Sequence, residues 1–335
     1  MSGRGRLVPG LSLTAVTAVW GSSFFMIKGL MRVMSPLDFL GMRFFAAGLI
    51  AMALLGWRVR RAAQAERSTR FAEEARLRQA GLPVPRHRRW VPPRVWRHGA
   101  IAGLIYGTAQ IFQTTGLAKT SASVGGFITG MYVVLTPFCV WALYRRRVRA
   151  LTWIGVVLAA GGLATLSLRG WHFGSGETLC LVGALLYAIH IAVLGRFSKD
   201  DDPLALAAVQ LLTIGILCGI AALPGGVAWP RTPMQWAQVV YLVLFAAILA
   251  LVVQTWAQSR IPPAEAAVIM TTEPVFSAVF ACLFGGESVT VRLVVGGALV
   301  LSAMFLTQLL PERGEPDPPG PDGPDGPDRP AESAG

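Results

Sequence analysis

Ten apolar stretches of roughly 20 residues, each long enough to cross the ~30 Å hydrocarbon core of a bilayer, run through this 335-residue chain. They fall at about 10–27, 36–56, 98–118, 123–144, 150–168, 176–195, 203–223, 235–258, 263–284 and 290–310. The backbone of such a stretch must satisfy its own hydrogen bonds, and it does so as a helix. The pattern predicts an all-α integral membrane protein with ten transmembrane helices. Composition agrees, with 53% hydrophobic and 14% charged residues, where soluble domains carry about 25% charged residues. The first stretch follows Arg4 and Arg6 as a signal peptide would. No small-x-small cleavage pattern follows Phe25, so the stretch is read as structure.

The formal charge of +12 would suggest a nucleic-acid partner in a soluble chain. Here the basic residues cluster between the apolar stretches, where Lys and Arg mark the cytoplasmic side. With the amino terminus (1–9) inside, 23 of the 30 basic residues fall in cytoplasmic segments, twelve of them in the loop 57–97. Both termini are therefore expected in the cytoplasm, and no nucleic-acid role is expected. The 57–97 loop, with the helix-favouring run Ala72-Glu73-Glu74-Ala75-Arg76-Leu77-Arg78, reads as a surface helix drawn to anionic lipid. The tail 311–335 repeats Pro-Asp-Gly and reads as disordered. The four cysteines lie in or beside apolar stretches without metal-ligand spacing, so they read as small buried residues.

Sliding the chain along itself exposes an internal repeat. At an offset of 167, Trp20 falls on Tyr187, Pro36-Leu37 on Pro203-Leu204, Arg43 on Gln210 and Gly48 on Gly215. At 141, Gln113-Thr114 falls on Gln254-Thr255, Lys119 on Arg260 and Gly155 on Gly296. The offsets differ by the extra length of the basic loop. Two repeats of five spans follow, at 10–168 and 176–310. Five is odd, so the second must insert upside down, and the charges agree: Arg145-Arg146-Arg147-Val148-Arg149 aligns with Gly286-Glu287-Ser288-Val289-Thr290. Inverted repeats are characteristic of secondary transporters, with the site near the midplane between the halves.

Several short motifs stand in order along the same 300 residues. They are Trp20-Gly21-Ser22-Ser23-Phe24, Ser35-Pro36-Leu37 leading to Arg43, Thr120-Ser121-Ala122-Ser123 through Phe127, and Glu273-Pro274-Val275-Phe276 followed by Gly286-Glu287. By these the chain resembles the EamA family of the drug/metabolite transporter superfamily. The resemblance implies ten helices in two EamA repeats, cytoplasmic termini, and export or exchange of small metabolites without ATP. The basic insertion, the acidic tail and Arg145-Arg146-Arg147 in place of a Gly-Glu depart from the family pattern.

Polar groups in spans are costly and tend to face a cavity or a partner. Helical spacing puts Trp20, Ser23 and Phe24 on one face of the first span, and Tyr106, Gln110 and Gln113 on one face of the third. The sixth span offers Tyr187 and His190, and the eighth Gln254 and Gln258. With Tyr132, Trp256, Met270 and Glu273 these are the candidate substrate-binding residues, amides and hydroxyls for a polar solute and aromatics for walls. The same residues also suit hydrogen bonding between helices. Glu273, beside Pro274, is read mid-span as a protonatable group or a structural carboxylate. His190 is read as a neutral hydrogen-bonded residue or a proton relay. Arg43 is read as a packing or snorkelling charge, and Lys28, Arg32 and Asp38 are placed at the outer mouth. Glu265 is expected at the start of the ninth helix. No phosphate loop, zinc site or nucleophile elbow occurs, so no catalytic residue, cofactor or metal is expected.

These features make a secondary transporter of the plasma or inner membrane the leading expectation, its solute amino-acid-like or drug-like and its motor protons or the solute's own gradient. Exchange of sugar phosphates or nucleotide sugars is the alternative and requires a basic residue deep in the cavity. A membrane scaffold or sensor acting through the 57–97 loop is the other.

Overall fold

Proline opens helix after helix in this chain, because its missing N–H is one that a helix start leaves unpaired in any case. The computed structural model describes residues 3–80, 91–145, 154–155, 157–159, 161–162, 165, 174–223, 228–260, 266, 269–270 and 272–308. Among these, α2 (Pro36–Gln79), α3 (Pro93–Leu117) and α7 (Pro203–Ala222) begin at proline, as does α8 at Pro233. Side chains complete several of these starts. The Asp202 carboxylate accepts from the Ala205 amide at 2.8 Å, and Thr232 with Gln235 forms a capping box before α8.

The remaining elements are α1 (Gly3–Leu30), α4 (Ala122–Gly130), α5 (Tyr132–Tyr144), α6 (Ser175–Phe197), α9 (Glu273–Phe284) and α10 (Val291–Gln308). Helix α8 runs Pro233–Val243, widens into a π-helical turn at Leu244–Leu249, and continues as Ala250–Gln258. Every described element is helical.

Six described stretches are long and apolar enough to cross a membrane: Val8–Leu30, Pro36–Gln64, Ala122–Tyr144, Ser175–Phe197, Pro203–Ala222 and Pro233–Gln258. Glu273–Phe284 and Val291–Ala303 are shorter apolar helices. The third predicted stretch lies on α3. The fifth lies largely outside the described residues, as do Arg146 to Arg149, Glu265 and the tail. Where a separate surface helix was expected within a loop starting at residue 57, α2 continues unbroken to Gln79. The reason is local: from Trp57 to Gln79 there is no Gly or Pro, and Ala, Arg, Glu and Gln are good helix formers.

Large apolar side chains such as Leu49, Leu54, Leu104, Ile216, Ile220 and Leu249 point outward. The interior holds Arg43, Gln110, Gln113, His190, Gln210, Gln254 and Glu273, all buried. This is the arrangement for a protein whose solvent is lipid. Helices α2 and α7 cross in the most extensive contact of the fold, and α3 packs on α6 and α7. Helix α1 packs on α8 and α9, and α4 on α6 and α9. Small residues permit these approaches. A Cβ on Gly48 would lie 2.7 Å from the Leu212 Cα, and one on Gly215 would lie 2.7 Å from the Phe45 Cα.

Candidate functional site

Two helix discontinuities meet at the centre of the molecule. The fourth span is split at Met131 between α4 and α5, so that Tyr132 is the first residue of α5. Glu273 is likewise the first residue of α9, at a helix start where the peptide dipoles favour a carboxylate. The Tyr132 hydroxyl donates to the Glu273 Oε2 at 2.7 Å.

A cavity of about 50 Å³ surrounds this pair, room for a few waters. Its lining includes Trp20, Ser23, Phe24, Ile27 and Arg43 from α1 and α2, and Tyr106, Gln110, Gln113 and Leu117 from α3. Thr129, Tyr132, Tyr187, His190, Ile191, Gln254, Met270 and Glu273 complete it. Of the candidates named from sequence, Gln258 and Trp256 are not brought to this cavity. Gln258 is buried elsewhere on α8, and Trp256 lines a separate groove with Arg58, Lys199 and Arg260. The lining also adds Arg43, Ile27, Leu117, Thr129 and Ile191 to the set read from sequence.

Twelve of the seventeen lining residues fall into pairs at the two sequence offsets. Trp20 and Tyr187, Ser23 and His190, and Phe24 and Ile191 are each 167 apart. Gln113 and Gln254, Thr129 and Met270, and Tyr132 and Glu273 are each 141 apart.

Of the two sequence readings of Arg43, a packing or a snorkelling charge, burial leaves the first: the residue is 2% exposed and its guanidinium is held inside the bundle by α8, at its π turn and just before it. Its Nε donates to the Leu242 carbonyl at 3.3 Å and Nη2 to the Ala246 carbonyl at 3.0 Å. The Trp20 indole N–H reaches the same Ala246 carbonyl at 3.1 Å. A π turn displaces carbonyls from the regular i to i−4 ladder, and here two cavity-lining donors use one of them. The Phe44 ring lies 4.8 Å from the guanidinium carbon, at cation–π range. Among the described residues Arg43 forms no ion pair.

On the opposite wall, the Tyr187 hydroxyl donates to Gln113 Oε1 at 2.8 Å, and Gln113 Nε2 donates to the Thr129 hydroxyl at 3.2 Å. Tyr106 meets Tyr187 and His190 edge-on, with ring centroids 5.2 and 4.9 Å away. The Gln210 amide donates to the Leu206 carbonyl and turns its oxygen to His190 Nε2 at 2.9 Å. The imidazole must then donate from Nε2, which leaves Nδ1 an acceptor, and that atom has no partner. Gln110 Oε1 and Gln254 Oε1 are likewise buried and unpartnered. The cavity thus combines one guanidinium, one carboxyl and three unused acceptors within aromatic walls.

A second, larger space of about 920 Å³ adjoins it, with Lys28, Arg32, Lys119, Thr120, Ala122, Glu177 and Glu287 among its lining. The two spaces share no lining residue: Phe24, Ile27 and Leu117 face the cavity, and Phe25, Lys28 and Lys119 face this vestibule. Lys28, Arg32 and Lys119 are thereby brought together, whereas Asp38 lines neither space.

The profile of the EamA-like transporter family matches residues 80–168 and again 174–309. The chain belongs to that family, a family of membrane transporters, and is a multi-pass membrane protein. It is 30% identical to an uncharacterized transporter of Archaeoglobus fulgidus, over 91% of this chain and 87% of that one. It is 24% identical to the uncharacterized inner membrane transporter YedA of Escherichia coli K12, over 88% and 89%. An S-adenosylmethionine/S-adenosylhomocysteine transporter of Chlamydia muridarum is 25% identical over 61% of this chain and 59% of that one. A solved crystal structure aligns with a TM-score of 0.61 at 18% identity, covering 91% of this chain and 97% of the other, a likeness of fold.

Proposed function

We propose that this chain is a secondary transporter of the plasma or inner membrane that exports or exchanges a small polar metabolite by alternating access between two inverted five-helix repeats. The observation that carries the reading is the Tyr132–Glu273 hydrogen bond. It joins positions 141 apart, each the first residue after a helix discontinuity, inside a cavity most of whose lining pairs off at the same offsets. Discontinuous helices meeting between repeats form the substrate and ion sites of many secondary transporters. Packing supports the same symmetry, because the reciprocal contacts of Gly48 with Leu212 and Gly215 with Phe45 exchange under the 167 offset. So does the backbone. Among the described residues, the two with positive φ are Arg145 (58°) and Gly286 (71°), which are 141 apart.

The solute is amino-acid-like. Arg43 offers a carboxylate the ion pair it otherwise lacks. Glu273, Gln110, Gln254 and His190 Nδ1 offer acceptors to an ammonium, and Trp20, Tyr106 and Tyr187 enclose the remainder. The name of the Chlamydia muridarum relative is consistent with solutes bearing an amino-acid group. A sugar-phosphate exchanger would find its deep basic residue in Arg43, but a lone guanidinium opposite Glu273 suits a zwitterion better than a dianion. Termini in the cytoplasm, supported by the basic-residue count, place the vestibule on the outer face. The basic extension of α2 faces anionic lipid headgroups, and protons acting through Glu273 are the coupling ion.

Small molecules in spent medium from deletion and overexpressing strains test the reading. One class of zwitterion should rise with expression and fall with deletion, and wild-type proteoliposomes should then move it with a pH-dependent rate that Glu273→Gln abolishes. Unchanged pH dependence in Glu273→Gln overturns the coupling assignment. Loss of function on deleting 57–97, with flux intact, favours the scaffold reading instead.

A further inference from the structure

The vestibule and the central cavity are separated where α4 begins, and the start of that helix is held by the other half of the chain. Glu287, in the turn between α9 and α10, accepts from the Ala122 amide at 2.6 Å through Oε1 and from the Ser123 amide at 3.2 Å through Oε2. Ser121 caps the next amide, that of Val124, at 3.2 Å. The first three amides of α4 are therefore all satisfied, two of them by a carboxylate from across the repeat boundary. Ser277 of α9 also donates to the Ala122 carbonyl at 3.2 Å. These contacts tie α4 to α9 at the vestibule end.

The equivalent positions of the first half carry different chemistry. Gly286 and Arg145 share a left-handed backbone, although the αL conformation costs a non-glycine residue roughly 1–2 kcal/mol. One position on, however, Glu287 is matched by Arg146. Ala122 and Ser121, the amide donor and the cap, are matched by Pro263 and Pro262. Arginine cannot accept and proline has no N–H to donate. The acceptor, the cap and one of the two donors are missing from the twin, where Ser123 is matched by Ala264.

We propose that Glu287 is a one-sided latch. It pins α4 to the α9–α10 turn at the vestibule end, a tie that the twin positions cannot reproduce in full; the other end is joined by a different one, Asp201 with Arg94 and His98. Releasing it populates the state in which vestibule and cavity connect. This rests on the inverted-repeat reading above and adds that the two access states are unequal by construction. A cavity of about 50 Å³ must widen to admit a metabolite, and α4 and α9, which carry or adjoin Thr129, Tyr132 and Glu273, are the elements that have to part.

The test uses the full chain in proteoliposomes, with its four cysteines replaced and one cysteine introduced as Ser23→Cys on the cavity wall. The readout is its rate of modification by a membrane-impermeant maleimide applied from the vestibule side. Glu287→Ala removes the acceptor. Ala122→Pro removes one donor while keeping a residue suited to the first turn, and Ser121 already has the extended φ of −74° and ψ of 157° that a following proline requires. Both variants should raise the labelling rate about tenfold or more, the scale for loss of a charge-assisted bond, and Glu287→Gln should fall between them and wild type. Equal labelling in wild type, Glu287→Ala and Ala122→Pro, with unfolding temperatures preserved, overturns the latch; so does a rise confined to variants that lose their cooperative unfolding transition. Flux in the same vesicles separates the two readings. Flux with unchanged labelling defeats the latch alone, while labelling that responds without any flux defeats the transport reading.

Discussion

Removing the hydroxyl in Tyr132→Phe perturbs the 2.7 Å hydrogen bond to Glu273 and a longer one, 3.5 Å, to the Met270 carbonyl. Tyr132 and Glu273 are both buried, at 3% and 6% exposure, so water does not replace the lost partner cheaply. A hydrogen bond to a charged group contributes about 1.5–3 kcal/mol, and one between neutral groups about 0.5–1.5 kcal/mol. The phenyl ring keeps its edge contact with Tyr187, whose centroid lies 6.3 Å away, so packing is little changed. Combined with Glu273→Ala, which removes the acceptor, in a double-mutant cycle, the pair should give a coupling near the upper range if the carboxyl is ionised and near the lower range if it is protonated. Thermal unfolding in detergent gives the cycle its stability arm, and initial transport rates from pH 5 to 8 give its functional arm. Tyr132→Phe should also change the pH profile of transport, because it removes the hydroxyl that bonds the carboxyl. Additive single mutants and a coincident pH profile would refute the claim that the twin positions act as one unit.

Three further outcomes follow from the same coordinates. Gly48→Val and Gly215→Val each force backbone apart where even a Cβ would stand 2.7 Å from the facing Cα, and overpacking costs typically about 1–3 kcal/mol; the two should lower the unfolding temperature alike, as equivalent positions must. Arg43→Lys keeps the charge but cannot reach both the Leu242 and the Ala246 carbonyl, so solute affinity should fall by about tenfold or more in equilibrium binding to the detergent-solubilised protein. Asp201, whose carboxylate is fully buried between Arg94 at 2.9 Å and His98 at 2.6 Å, ties the α6–α7 turn to α3. Asp201→Asn should destabilise the fold by about 1–3 kcal/mol, read by thermal unfolding, while leaving solute affinity unchanged.

How much of this is legible in the sequence depends on which signal each residue leaves. Helix starts at Pro36, Pro203 and Pro233 are written in the chain, because proline and the apolar runs behind it act locally. The pairing of Trp20 with Tyr187 and Gln113 with Gln254 is legible too, since an offset survives substitution. The facing of helices is harder. A helix between lipid and a protein core is apolar all round, so only rare polar residues mark its inner side, and Ile27, Leu117 and Ile191 leave no mark at all. Arg43 was left open for the opposite reason. A charge eight positions into a span fits a snorkelling side chain as well as a buried one, and its partners are backbone carbonyls at and just before a π turn that no residue type announces. The break at Met131 has no proline of its own, and Gln258 shares a helical face with Gln254 by spacing, yet only Gln254 reaches the cavity.

The central claim is that one cavity, shared by twin positions, opens to each side of the membrane in turn. It is tested most directly by a single cysteine at Ser23, modified by an impermeant reagent supplied to one face of the proteoliposomes and then, separately, to the other. The expected result is modification from either face, suppressed by the transported zwitterion and accompanied by loss of flux. Modification from one face only, or full flux through vesicles whose Ser23→Cys is completely modified, would contradict it.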